Sequence, residues 1–152
     1  MSGSIAATSA DSSGAVLVEV QAVGPGDLGC LLELPCLPES AGTARKLVAA
    51  AVAAWSAEQL REVAELLVTE LVANAVKHTG CTRIAVSVER QAAAVWVGVR
   101  DSSGELPCHL PLAHEAESGY GLGLVATLSS RWGVAWAPFG KWVWFELRMG
   151  RS

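Results

Sequence analysis

Residues 82–101 read TRIAVSVERQAAAVWVGVRD, and the spacing of their side chains decides the fold. Over Thr82–Gln91 and again over Ala94–Asp101, apolar and polar residues alternate one by one, in the manner of paired strands with one face buried. Upstream the period is helical. The stretch ELLVTELVANAVKHTG, Glu65–Gly80, belongs to a helix expected from about Ala57 to His78, with Ser56 as its N-cap and Gly80 as its stop. Before it, LPESAGTARKLVAAAVAAW predicts an alanine-rich helix begun near Pro38 to Ser40, and CLLELPC a short strand. Downstream, residues 102–118 hold two prolines and many polar groups and read as loop. GYGLGLVATLSSRW then looks like a glycine-rich helix entry, and GVAWAPFGKWVWFELRM like a hairpin turning at PFG. Helices come early, followed by strand, strand, loop, helix and hairpin. That order predicts an α+β protein, a two-layer sandwich with helices on one face of a mainly antiparallel, mixed sheet.

The chain has 152 residues, 51% of them hydrophobic, which suits one domain with an ordinary core. Residues 30–150 are expected to form that domain. Residues 1–29 read as a flexible leader in which AVLVEVQAVGPGDLGC could add an edge strand. A net charge of −4 disfavours nucleic acid and anionic membranes as partners. No apolar run reaches the roughly 18 residues of a membrane span, and the first residues lack the features of a signal peptide, so the expected location is the cytoplasm. Cys30, Cys36, Cys81 and Cys108 form no C-x-x-C pair and, with the histidines, no zinc spacing.

Two polar intrusions stand out against this background. At about 100° per residue, Val63, Leu66, Leu67, Glu70 and Asn74 fall within roughly a third of the helix circumference, which puts an acid and an amide on the core side. On the second strand Val95, Val97, Val99 and Asp101 share one face, so an apolar face again ends in a carboxylate. If the helix lays Val63 and Leu67 on the Val95/Val97/Val99 face, then Glu70, Asn74 and Asp101 meet at one rim. A buried carboxylate without partners costs several kcal/mol, so such a cluster calls for a ligand. Each residue also has a plainer explanation as a capped acid, an amide at a frayed end or a turn former. The run SGYGLGLV sets Gly119, Gly121 and Gly123 at a helix start, where free N–H groups favour an anion such as phosphate. Trp132, Trp136, Trp142 and Trp144 crowd the last hairpin. They are either core or, on an exposed sheet face, a homodimer or partner surface.

ELVANAVKH, VRDSSGELP and SGYGLGLV together resemble the N box and the two glycine boxes of the Bergerat-type, histidine-kinase-like ATP-binding superfamily. Within it the chain is similar to the small anti-sigma-factor serine kinases and their actinobacterial relatives, over roughly Leu31 to Leu147. The resemblance implies ATP and Mg²⁺ as ligands, Asn74 as the Mg²⁺ ligand, Glu70 as the general base and Asp101 as acceptor of the adenine amine. It sets Lys77 and His78 within reach of phosphate, although both also suit a basic helix C-terminus. Gly104 belongs to the first glycine box, and Gly119, Tyr120, Gly121, Leu122, Gly123 and Leu124 would lie against the phosphates. Residues 105–118 would form a lid over the nucleotide. A sigma factor and its antagonist are the implied partners, the antagonist being the substrate of a serine/threonine kinase. An ATP-sensing module without phosphotransfer is the alternative. The chain departs from its relatives in three ways: Ser103 stands where they carry glycine, Trp142 falls around their adenine-side threonine, and the lid holds no Lys or Arg.

Overall fold

A computed structural model describes residues 4–5, 16–22, 28–78, 83–101, 122–137 and 140–149. The strands are β1 (Ser4–Ile5), β2 (Val16–Ala22), β3 (Leu28–Pro35), β4 (Arg83–Gln91), β5 (Ala94–Asp101), β6 (Arg131–Ala137) and β7 (Gly140–Arg148). They form one sheet in the order β1-β2-β3-β4-β5-β7-β6. Every described pairing is antiparallel. Three helices, α1 (Ser40–Ala54), α2 (Arg61–His78) and α3 (Gly123–Leu128), contribute to the layer that covers one face. The architecture is the expected two-layer α+β sandwich.

Alternation explains the sheet directly. Ile84, Val86 and Val88 on β4, Val95, Val97 and Val99 on β5, and Val143, Phe145 and Leu147 on β7 all turn to the helices and are buried. From α1 the same core takes Ala44, Val48, Ala51 and Val52, spaced as successive turns of one helical face. From α2 it takes Ala64, Leu67, Val68, Leu71, Val72 and Ala75. Each fully buried Val, Leu or Phe contributes about 1.5–3 kcal/mol of transfer free energy, which is what holds the two layers together.

Two helical expectations shift. The buried stripe of α2 is turned toward Ala64, Val68 and Leu71, which leaves Leu66 42% exposed and Val63 only partly buried. Ser56 does not cap α2. It takes a left-handed φ of 56° just past α1, donating its N–H to Ala53 O at 3.3 Å while Ala57 N–H reaches Val52 O at 2.7 Å. That crossed pair is a Schellman C-terminal motif, where glycine is the usual occupant. A 3-10 turn over Glu58–Leu60 then leads into α2 at Arg61, four residues later than the spacing suggested.

The other face of the sheet has no helix over it among the described residues. Trp96 on β5 and Trp142 and Trp144 on β7 lie there together, Trp96 stacked on Trp144 with centroids 6.1 Å apart and tilted against Trp142 at 5.9 Å. The rings lie over glycines: a Cβ at Gly98 would come within 2.5 Å of Trp96 Cη2, and one at Gly133 within 2.9 Å of Trp144 Cζ2. Arg100 and Arg131 rest on Trp142 and Trp144 at 5.5 and 5.7 Å. Trp132, by contrast, turns inward and packs against the core, so the last hairpin divides its tryptophans between the two faces.

Candidate functional site

The strand register fixes which residues share one end of the sandwich. Pro35 at the end of β3 pairs with Arg83, Ile84 with Asp101, and Arg100 with Trp142, so the end of β5 lies beside the starts of β4 and β7. Cys36, just past β3, directs its thiol to Ala75 O at 3.9 Å and brings the last turns of α2 to the same end. α2 packs across β5 and β7. Asn74, next to Ala75 on α2, and Asp101, the last residue of β5, therefore belong to the same end of the sandwich.

Asn74 is 4% exposed, and its Oδ1 has no hydrogen-bond partner among the described residues. A buried amide oxygen left unpaired costs roughly 1–3 kcal/mol, so it is a group that awaits a partner. Glu70, one turn earlier on the same side of the helix, is half-buried at the margin of the core rather than within it. A carboxylate there keeps access to solvent. Asn74 Oδ1 suits a hard cation such as Mg²⁺, which takes oxygen ligands and is commonly held by one or two protein groups together with substrate phosphates. Among the described residues no group of three or more His, Cys, Asp or Glu side chains could hold a metal unaided. A cation at Asn74 would draw its other ligands from phosphate and water.

Asp101 is not alone. Lys141 Nζ donates to its Oδ2 at 3.0 Å, and both side chains are more than nine-tenths buried. Lys141 is the next residue in register after the Arg100–Trp142 pair, directly across from Asp101. Gly140 makes the approach feasible: its φ is 147°, and an added Cβ would fall on the Asp101 carbonyl oxygen. The residue that β7 offers to the Asp101 site is therefore Lys141, whereas Trp142 belongs to the far face. The signal was present in the sequence, because counting back in twos from Leu147, Phe145 and Val143 arrives at Lys141.

The structure describes the remaining expected site residues only in part. Lys77 is exposed and lines a groove of about 370 Å³ between α1 and α2, together with Arg45, Thr69 and Val76. His78 closes α2, and its side chain lies outside the described residues. Gly123 opens α3, which packs against α2 and β6. Leu122 is buried in the core and Leu124 faces solvent, so what either can offer a ligand is its backbone N–H. Gly104, the lid at 105–118, Gly119, Tyr120 and Gly121 lie outside the described residues.

The chain belongs to the histidine kinase-like ATPase domain family, whose model matches residues 34–147, from the end of β3 through β7. No curated protein matches the chain. Among the described residues no helix is long and apolar enough to cross a membrane.

Proposed function

We propose that this protein is an ATP-dependent serine/threonine kinase of the anti-sigma-factor type, which holds a sigma factor and phosphorylates the antagonist protein that competes for it. The observation that carries the reading is the unpartnered Oδ1 of Asn74, one helical turn beyond the half-buried Glu70. In this reading Asn74 Oδ1 holds Mg²⁺, and Asp101 accepts the adenine amine. Mg²⁺, when bound, supplies positive charge against the phosphate oxygens. Glu70 takes the proton of the antagonist's seryl hydroxyl as that oxygen bonds to the γ-phosphorus. The bond from the γ-phosphorus to the bridging oxygen breaks, and ADP leaves with the electron pair.

Incubation with labelled ATP and a cognate antagonist should yield phosphoserine. Glu70→Ala should abolish it while ATP still binds, and Asn74→Ala should weaken Mg²⁺-dependent ATP binding. Absence of transfer to any cognate partner removes the kinase assignment.

A second reading, an ATP-sensing module without chemistry, is favoured by the cations. Residues 105–118 contain no Lys or Arg, Lys141 is engaged with Asp101, and Lys77 lines the α1–α2 groove. It predicts partner binding that follows nucleotide state with no turnover dependent on Glu70.

A further inference from the structure

One rung deeper than Asp101 and Lys141, the cross-strand pair on the same face is Val99 and Val143, both buried. An ion pair in such a place gains little stability over an apolar pair of similar volume, because the cost of removing both charges from water offsets their attraction. What the pair presents is more informative than what it stabilises. The ammonium carries three N–H groups. One is on Asp101 Oδ2, and Lys141 has no other partner among the described residues. The bond uses only Oδ2 of the carboxylate, and Oδ1 lies beside Gly140. An acceptor-only group and a donor-only group therefore sit side by side, at the end of the sandwich that also holds the unpartnered oxygen of Asn74.

Adenine is complementary to such a pair in one sense only. Its single exocyclic amine is the donor available to a carboxylate, and the ring nitrogens on either side of that amine, N1 and N7, are acceptors available to an ammonium. Hypoxanthine and guanine put a carbonyl oxygen where the amine was and a ring N–H at position 1. Acceptor then faces acceptor at Asp101, and on the N1 side donor faces donor at Lys141.

We infer that Lys141 is a base-reading residue: its Nζ–H donates to the ring nitrogen beside the amine that Asp101 accepts, so that Lys141 and Asp101 together select adenine. The inference rests on the ATP site proposed above and extends it to a residue that site did not include. Methionine at position 141 removes the donor and keeps the length of the side chain.

The test is calorimetric titration of the full chain, wild type and Lys141→Met, with ATP, 1-deaza-ATP, 7-deaza-ATP and ITP. One of the two deaza nucleotides should bind wild type about 10- to 100-fold more weakly than ATP, the range expected for a lost hydrogen bond from a charged donor. Which one it is tells whether N1 or N7 is read. ITP should bind more weakly still, and Lys141→Met should bind ATP and both deaza nucleotides alike. Equal binding of ATP and both deaza nucleotides by wild type overturns the inference, as does a deaza penalty that persists in Lys141→Met. The wild-type series decides by itself if the variant does not fold. Failure of wild type to bind ATP at all would instead bring down the ATP site, and this reading with it.

Discussion

The two faces of the central strands β5 and β7 solve the same problem in opposite ways. The inner face is apolar, covered by helices, and ends in the buried Asp101–Lys141 pair. The far face has no helix to cover it among the described residues, and its tryptophans lie down over Gly98 and Gly133 with arginines resting on the rings. On the inner face a charge is brought in and must be answered by an opposite charge. On the far face the cations keep one side in water, where a cation–π contact adds about 0.5–1 kcal/mol and asks for no counter-ion.

The contrast is tested most severely at Lys141. Lys141→Met should lower stability to urea by about 3–5 kcal/mol, because it leaves the Asp101 carboxylate buried and unpaired. Adding Asp101→Asn should recover much of that loss. Wild-type stability in the single variant would mean that the carboxylate is not enclosed.

Gly98→Val probes the far face. Its side chain would meet the Trp96 and Trp142 rings and should cost about 1–3 kcal/mol by overpacking. The near-ultraviolet circular dichroism of the tryptophans should change while ATP affinity stays at the wild-type value. A loss of ATP binding in a folded Gly98→Val protein would show that the faces are coupled.

The smallest effect belongs to Cys30 on the inner side of β3. Burial pushes its thiol up from 9.0 to about 11, against a smaller lowering by a hydrogen bond with the Val88 backbone. The fold thus favours the neutral thiol. Between these two values the unfolded chain has lost the proton and the folded chain keeps it, so this group's share of stability is complete below about pH 9 and falls as pH rises toward 11. Urea midpoints of wild type and Cys30→Ala measured from pH 7 to 11 should therefore converge at the alkaline end. Parallel curves would mean that water reaches the thiol.

Much of this arrangement was legible because alternation is a strong signal. Arg83–Gln91 and Ala94–Asp101 fall where their period of two placed them, the last two strands pair as the expected hairpin with the first of them starting earlier, at Arg131, and the buried Asn74 follows from the helical period of the second helix. The misreadings have local causes. Ser56 has the chemistry of an N-cap, and only the backbone path after α1 shows it in a left-handed C-terminal position instead. Leu66 looked like core because an apolar residue beside an apolar stripe cannot be phased until the helix has something to pack on. Lys141 was missed because adjacent residues of a strand face opposite ways, and its partner strand lies 40 residues away in the chain.

That last point has a consequence for β7 itself. Lys141, Val143, Phe145 and Leu147 serve one side of this strand, and Trp142 and Trp144 serve the other. Sliding β7 by one residue would carry an indole to Asp101 and an ammonium into the aromatic stack, and every ladder bond could still be made. The tryptophans seated on their glycines, together with the turn at Gly140, make that slip expensive. The aromatic side of the sheet thus acts as a register lock for the opposite side, holding the lysine in line with the aspartate from across the thickness of a single strand.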